Sequence, residues 1–390
     1  MEKEKKTTIL FLSWRDIKSP NMGGAEIFTH EMMKNADLSR FEFIHFSPIY
    51  EGLKPYEVID TITYIRDGSL LSVIFKAGGY YKKNKNKIDF VVDQCNTFRF
   101  FTKFWVEGRK RIFLIYQLTR EIWDFHMSFP LNKIGKALET PMLKLNKNDY
   151  TLTESQSTKD DLVKVGFDEE KVSIIPIGLS FTPWDNSEFC KKETDTTFIY
   201  VGRFARYKGI DDSIHAFGEY RNKYDDAKFW IVGKRDKEYI ESVLMPICRE
   251  YGLSCEYASN ETNEQASCES DVTFFGFVDK NTKLDLMSRA HIQLVPSIRE
   301  GWGLIVTEAA AVGTPSITYN SPGLSDAVDF GKAGYMTTEN NIHGLFKAME
   351  VAISDNEGYN NMQKSAHEFS KKFNWKHTGN AFNSFMESII

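Results

Sequence analysis

The first 180 residues alternate short apolar runs with stretches whose apolar positions recur at helical spacing. Residues 7–14 are the first apolar run and residues 25–35 the first helical stretch, with a glycine-containing loop between them. Further strands are predicted at 41–46, 89–92, 112–116, 150–153 and 172–175. Strands that alternate with helices predict a parallel sheet covered by helices on both faces.

The alternation begins again after a polar, turn-rich segment, 181–196, which we interpret as a linker. Strands are predicted beyond it at 197–201, 228–232, 272–275, 292–295 and 316–319. Helices are predicted at 211–224, 237–251, 280–289 and 304–311. The sequence therefore predicts two doubly wound domains, 1–180 and 197–373, and an amphipathic terminal helix at about 374–390. Ligands of such sheets bind at the carboxyl ends of the strands, so we expect the site in the cleft between the domains.

Composition and charge narrow the class of protein. Of 390 residues, 42% are hydrophobic and 26% charged, which is typical of a globular chain. The net charge of −5 argues against a nucleic-acid partner, and five cysteines without a CxxC spacing favour reduced thiols over disulfides or a zinc site. The apolar run near the start is too short for a secretory signal, and no run approaches the roughly 20 residues of a membrane-spanning helix. We therefore expect a cytoplasmic protein.

The segment EGWGLIVTE, residues 300–308, carries two glutamates across a predicted strand–turn–helix junction. Glu300 falls in the loop and Glu308 in the helix, so the two can face one ligand from different directions. Unpaired N–H groups and the helix dipole favour a phosphate at such a helix start. The donors would be the N–H groups of Gly303, Leu304 and Ile305. Gly301 and Gly303 leave room for close backbone approach.

Two further segments follow predicted strands in the same way. In VGRFARYKG, residues 201–209, Arg203 follows a strand and Lys208 precedes a helix, and together their cations suit a diphosphate. In the first domain, Gly23 and Gly24 follow the first strand and permit a tight turn close to a ligand. A strand-to-helix connection without function is the alternative interpretation of these two glycines.

Together these motifs resemble those of family 4 of the glycosyltransferases, retaining enzymes that use a nucleotide-sugar and have the GT-B fold. The matching segments are GGAE at 23–26, QLTREIW at 117–123, TESQSTKDDLVKVGF at 153–167, IIPIGL at 174–179, VGRFARYKG at 201–209, GFVDK at 276–280 and EGWGLIVTEAAAVGTP at 300–315. The resemblance covers nearly the whole chain. It implies an α/β architecture of two Rossmann-like domains facing a central cleft, with the terminal helix crossing back to the first domain.

The resemblance also implies a role for each matching residue. Four charged side chains would contact the donor: Arg203 and Lys208 its diphosphate, Glu300 its sugar hydroxyls and Glu308 its ribose. The N–H groups of 303–305 would bind the distal phosphate, backbone near Val278 would lie against the base, and Gly24 would close over the phosphates. No metal or other cofactor is implied, because cations and the helix dipole stabilise the leaving group.

One position departs from the family pattern. Relatives with the QLTREIW segment carry His immediately before it, whereas this chain has Tyr116. Tyrosine donates a hydrogen bond but is a poor base at neutral pH. We name Tyr116, on the acceptor side, and Glu300 as the two catalytic candidates, with His126 as a substitute for the missing His. The departure keeps a second hypothesis open, a non-catalytic, sugar-binding partner subunit of another glycosyltransferase.

The expected reaction moves a hexose, with retention, from a nucleotide diphosphate-sugar to a glycan or lipid-linked acceptor. Synthesis of a cell-surface polysaccharide or glycoconjugate is the expected process, in the cytoplasm or at the inner face of the membrane. The basic stretch 82–87 (KKNKNK) is either a solvated loop or an anionic-lipid contact. The aromatic, basic stretch 98–111 is either core with a solvated face or a membrane-surface or lipid-acceptor patch, and we count a peripheral membrane contact among the expected partners.

Overall fold

The computed structural model describes residues 5–20, 22–258 and 269–390. The chain divides into two compact units, Met1–Ser180 with Phe373–Ile390, and Phe181–Lys372. Across the described residues, no helix is both long enough and apolar enough to span a bilayer.

The first unit is built on an eight-stranded sheet. Its strands are β1 Thr7–Leu12, β2 Phe41–Ser47, β3 Tyr56–Ile59, β4 Ile62–Arg66, β5 Phe90–Cys95, β6 Arg111–Ile115, β7 Tyr150–Thr153 and β8 Val172–Ile174. They lie in the order β3-β4-β2-β1-β5-β6-β7-β8, parallel except for the pair β3–β4. The sequence did not predict this hairpin, because its edge strand β3 is short and half-exposed and has no continuous apolar run.

Different helices cover the two faces of the first sheet. The helices before the second unit are α1 Gly24–Asn35, α2 Val73–Asn84, α3 Trp123–His126, α4 Leu131–Leu143 and α5 Gln156–Val165. Strand side chains alternate between the faces. Leu10 and Leu12 share an apolar cluster with Val73 of α2, whereas the ring of Phe11 packs on Phe382 near the carboxyl terminus. The helix α2 and the terminal helix therefore cover opposite faces.

The second unit has a seven-stranded, fully parallel sheet in the order β11-β12-β10-β9-β13-β14-β15. Its strands are β9 Thr196–Val201, β10 Ala227–Val232, β11 Cys255–Tyr257, β12 Val272–Gly276, β13 Ile292–Val295, β14 Ser316–Thr318 and β15 Tyr335–Met336. Its helices are α6 Ile210–Lys223, α7 Lys237–Tyr239, α8 Met245–Glu250, α9 Lys280–Arg289, α10 Leu304–Ala311, α11 Leu324–Ala327, α12 Ile342–Ser354 and α13 Asn356–Ser370. A π-helical turn, Ile240–Leu244, joins α7 to α8 where one continuous helix was predicted.

In each sheet, successive strands are added first on one side of a central strand and then on its other side. In the first sheet β1 lies between β2 and β5, and in the second β9 lies between β10 and β13. The loops that leave neighbouring strands at this change of side diverge and leave a crevice at the carboxyl edge. The four loops after β1, β5, β9 and β13 are therefore the places to look for a ligand.

Residues 181–196, interpreted from the sequence as a linker, belong to the second unit. The Lys192 ammonium group is nearly enclosed by oxygen acceptors. They are the carbonyl oxygens of Ser288, Ala290 and Gly313 and the hydroxyl of Thr314, at 2.7–2.9 Å. The sequence of a polar segment does not show whether its side chains form hydrogen bonds with water or with the carbonyl groups of neighbouring loops. The packing of Lys192 was therefore not predictable.

The terminal helix α14, Trp375–Ile389, packs on α1 within the first unit. The ring of Phe382 lies beside those of Phe11 and Phe43 of the sheet. An added Cβ at Gly379 would lie 2.0 Å from the carbonyl oxygen of Asn35, the last residue of α1. Glycine at this position therefore permits the close contact of the two helices.

We expect Gly379→Ala to lower the free energy of unfolding by about 1–3 kcal/mol, because the added methyl group has no room beside α1. Gly79 of α2 is the matched control, since no described atom lies within 4 Å of a Cβ added there. Gly79→Ala should be neutral or stabilise the chain by up to about 1 kcal/mol. Urea unfolding followed by tryptophan fluorescence measures both variants. Equal shifts in the two would contradict the close contact.

Candidate functional site

The loop after β9 touches the loop after β13 at a glycine. Gly209 has φ +71° and begins α6. A Cβ on Gly209 would lie 2.3 Å from the carbonyl oxygen of Pro296, which follows β13. Only glycine combines this backbone conformation with so close an approach. The two loops that carry the charged motifs of the second unit are therefore held against each other.

This contact brings together two of the predicted site residues. The Lys208 ammonium forms an ion pair with the Glu300 carboxylate, and both side chains are largely buried. Tyr207, which sequence reasoning missed, links the cations of its loop: its hydroxyl accepts a hydrogen bond from Arg203 Nη2 at 3.0 Å. Its ring centroid lies 5.3 Å from Lys208 Nζ. Arg203 itself is exposed to solvent.

Two glycines determine the backbone path of the EGWG loop, Gly303 within it and Gly323 packed against it. Gly303 has φ +92° and precedes the first residue of α10, where no side chain caps the helix. The half-buried Leu304 and Ile305 form its first turn, so the N–H groups there depend on water or a ligand for acceptors. On the other side, a Cβ added to Gly323 would lie 2.2 Å from the carbonyl oxygen of Glu300.

Glu308 lies one to two turns into α10 and is nearly buried. Its carboxylate accepts a hydrogen bond from Lys283 Nζ of α9 at 2.6 Å. The sequence singled out Glu308 but not Lys283, because no motif links positions on two different helices. Burying a carboxylate without a partner is unfavourable, and Lys283 supplies that partner.

Val278 and Ile305 pack against the same apolar cluster of the second unit. Both were predicted to border the ligand, Val278 beside the base and Ile305 at the helix start. Phe277, next to Val278, is 80% exposed although it is a large apolar side chain. Gly301 in the neighbouring loop is buried. The structure therefore places these residues around the carboxyl edge of the second sheet.

The glycine pair of the first unit begins α1. Gly23 N–H donates to the carboxylate of Glu26 at 2.7 Å, and Arg15 Nε lies 3.0 Å from the same carboxylate. Neither glycine has a positive φ. Around Gly24, no described atom lies within 4 Å of an added Cβ. Neither backbone conformation nor packing within the described residues therefore requires glycine at 24.

Tyr116 follows the last residue of β6 and is buried. Its hydroxyl donates to the Ala25 carbonyl oxygen of α1 at 3.0 Å and lies 2.6 Å from Thr29 Oγ1. The ring packs edge-on against Phe28. Burial raises the pKa of Tyr116 well above its usual range. The Tyr116 side chain thus links the end of β6 to the first turns of α1. The side chain of His126, which the sequence offered as a substitute for the missing His, lies outside the described residues.

A family model described as Glycosyl transferases group 1 matches residues 185–369. Glycogen synthase of Mycobacterium tuberculosis (strain CDC 1551 / Oshkosh) is 24% identical over 252 residues, covering 64% of this chain and 56% of that protein. Lipopolysaccharide 1,2-N-acetylglucosaminetransferase of Salmonella typhimurium is 23% identical over 232 residues, covering 56% of each. The chain spans just over half the length of these curated relatives.

Two solved structures resemble almost the entire chain. Sucrose-phosphate synthase from Thermosynechococcus elongatus has a TM-score of 0.74 at 16% identity, covering 98% of this chain and 99% of that one. Anabaena Alr3699/HepE in complex with UDP and glucose has a TM-score of 0.67 at 16% identity, covering 98% and 100%. At these identities the likeness bears on the fold. The chain therefore has the GT-B class of α/β fold predicted from its sequence, and the similarity to glycosyl transferases group 1 lies in residues 185–369.

Proposed function

We propose that this chain is a retaining glycosyltransferase that moves a hexose from a nucleotide diphosphate-sugar to a glycan or lipid-linked acceptor. The contact between Lys208 and Glu300 carries the proposal. A cation suited to a phosphate and a carboxylate suited to sugar hydroxyls lie side by side. The bond that such an enzyme breaks joins a sugar to a phosphate, so the two groups suit its two sides.

The diphosphate has three sources of positive charge in this proposal. Lys208 and Arg203 supply side-chain cations from the β9 loop, and the uncapped start of α10 supplies N–H donors. Gly209 lets these two loops touch. Preorganised charge of this kind stabilises the phosphate that leaves with the nucleotide, so the proposal needs no metal ion.

We assign the ribose hydroxyls to Glu308 and the base to the neighbourhood of Val278. Lys283 holds the Glu308 carboxylate at 2.6 Å and so fixes its direction. Because Gly24 has open space above it within the described chain, we assign Gly23 and Gly24 to close approach of the donor. A UDP-sugar is the first donor to test, since a neighbour of this fold was solved with UDP and glucose.

The proposed chemistry uses no protein base at Tyr116. Its hydroxyl donates to the α1 backbone and its pKa is raised, which is unsuited to proton abstraction. The leaving phosphate would instead take the acceptor proton as the acceptor attacks the same face of the sugar. We therefore propose that Tyr116 is a positioning residue that holds α1, with its glycine turn, against β6.

The proposed process is synthesis of a cell-surface glycan at the inner face of the membrane. The similarity to a lipopolysaccharide 1,2-N-acetylglucosaminetransferase supports this choice. Hydrolysis of a nucleotide-sugar by the purified chain alone tests the activity without knowledge of the acceptor. A chain that binds donors but never hydrolyses them would favour the non-catalytic subunit instead.

We expect Arg203→Ala and Lys208→Ala each to weaken binding of a nucleoside diphosphate by about 1.5–3 kcal/mol, the range of hydrogen bonds to charged groups. Lys208→Ala should lose more, because it leaves the Glu300 carboxylate unpaired beside the ligand. Calorimetric titration with UDP, GDP and ADP measures the affinity. Lys332→Ala, at an exposed lysine of the same unit, is the control, and unchanged affinity in both site variants refutes the phosphate assignment.

We expect Glu308→Gln and Glu300→Gln to differ kinetically. Contacts with ribose are similar in ground and transition states, so Glu308→Gln should mainly raise KM. Glu300 faces the reacting sugar, so Glu300→Gln should mainly lower kcat. Donor hydrolysis measures both, with the exposed Glu339→Gln as control. The same kinetic change in both variants would mean that one role is misassigned.

We expect Tyr116→Phe to slow donor hydrolysis by roughly tenfold, or about 1.4 kcal/mol, with little change in UDP affinity. Thr29→Val tests how the hydroxyl acts, because it removes the neighbouring hydroxyl on α1 at nearly constant volume. If Tyr116 acts by holding α1, both variants lower kcat alike. A loss in Tyr116→Phe alone would show instead that its hydroxyl touches the substrate.

A further inference from the structure

The helix α4 turns an apolar stripe toward solvent. Leu131, Ile134 and Leu138 recur at helical spacing on one side of it, and each is at least half exposed. Phe129, just before the helix, is 81% exposed. A helix of a water-soluble domain normally buries such a stripe. The opposite side of α4 carries the inward contacts, for example Leu143 in an apolar cluster of the first unit.

A second set of exposed apolar side chains lies at the start of α2 and in the segment after β5. Leu71 is 91% exposed, Phe75 of α2 is 81% exposed, and Phe104 after β5 is 71% exposed. Phe98, itself 51% exposed, packs on Trp14 and on Trp123, the first residue of α3.

The two groups lie over the same face of the first sheet. The helix α2 packs on the cluster that contains Val91 of β5. The cluster that contains Leu143 of α4 also contains Cys95 of β5. Positions 91 and 95 point to one face, because side chains alternate along a strand. The helices α1 and α14 cover the opposite face, so α2 and α4 present one side of the first unit.

Lysines surround these apolar groups although the whole chain has a net charge of −5. Residues 71–87 contain five lysines and no acidic residue, and residues 124–148 contain four lysines, one aspartate and one glutamate. Lys133 and Lys136 share Asp124, and Lys76 pairs with Asp67, so lysines still outnumber acidic residues here. That glutamate, Glu139, points inward and accepts hydrogen bonds from the backbone N–H groups of Thr119 and Arg120. Of the basic stretch 98–111, Arg99 is buried and donates to the Met142 carbonyl oxygen, so it takes no part in this surface.

We propose that the α2–α4 side of the first unit docks on an anionic lipid bilayer. Exposed Phe, Leu and Ile side chains insert among acyl chains, and lysines around them contact anionic headgroups while their alkyl stems cover apolar surface. The lysine excess selects an anionic membrane over a neutral apolar partner. This rests on the proposed function and deepens it, because it names the surface that would hold the glycosyltransferase beside a lipid-linked acceptor.

Vesicle co-sedimentation of the full chain tests the proposal without nucleotide or acceptor, so its failure leaves the donor assays untouched. The probes are vesicles of phosphatidylcholine alone and of phosphatidylcholine mixed with phosphatidylglycerol. We expect binding to the anionic vesicles only, weakened by salt. The double variant Ile134→Asp/Leu138→Asp should lose at least about tenfold in binding, since it puts two charges in the inserted stripe.

Two sets of variants keep the test specific. Val351→Asp, at an exposed apolar residue of α12 in the second unit, should bind as the parent does, and circular dichroism checks that every variant is folded. The double variant Lys133→Gln/Lys136→Gln should weaken binding to the anionic vesicles. The matched control is Lys332→Gln/Lys371→Gln, because these two lysines also pair with carboxylates. It should bind as the parent does. Equal binding to both vesicle types overturns the proposal. So does a dimer, detected by sedimentation velocity, that Ile134→Asp/Leu138→Asp dissolves.

Discussion

The close approach of two loops at Gly209 and Pro296 is the constraint on which the rest of the candidate site depends. A parallel sheet brings the carboxyl ends of β9 and β13 to one edge, but strands alone leave the loops free to diverge. Gly209 removes the side chain that would separate them. Lys208 then reaches Glu300, so the cation proposed to bind phosphate lies next to the carboxylate proposed to bind sugar. The contact between the two loops thus depends on the absence of a side chain at position 209.

The same ion pairs explain how the site keeps its charges when no ligand is bound. Lys208 pairs with Glu300 and Lys283 with Glu308, and all four side chains are at least three-quarters buried. Removing one charge from such a pair leaves its partner buried and uncompensated, at a cost of several kcal/mol. A donor that contacts Lys208 exchanges one anionic partner for another. Its affinity therefore reflects the difference between two interactions and not the full strength of either.

The sequence predicted best those elements whose apolar pattern is continuous. The strands β7 and β13 and the helices α9 and α10 begin and end where predicted. The sequence did not predict the hairpin β3–β4, because its first strand is half-exposed. It did not predict the contacts of Lys192 and Lys283 either, because their partners are distant in sequence. Motifs located Arg203, Lys208, Glu300 and Glu308. They did not show that Tyr207 joins the two cations, since an aromatic residue in a loop carries no pattern of its own.

Tyr116 shows why a position in a motif does not define a chemical role. Its place at the end of β6 suggested direct participation in the reaction, because carboxyl ends of strands face ligands. The side chain instead turns to α1 and donates to the Ala25 carbonyl oxygen. Ala25 directly follows the two glycines, so a hydroxyl at 116 influences where that turn lies. A histidine can act as an acid or base near neutral pH, whereas the Tyr116 hydroxyl donates to the α1 backbone and burial raises its pKa, so it is unsuited to proton abstraction.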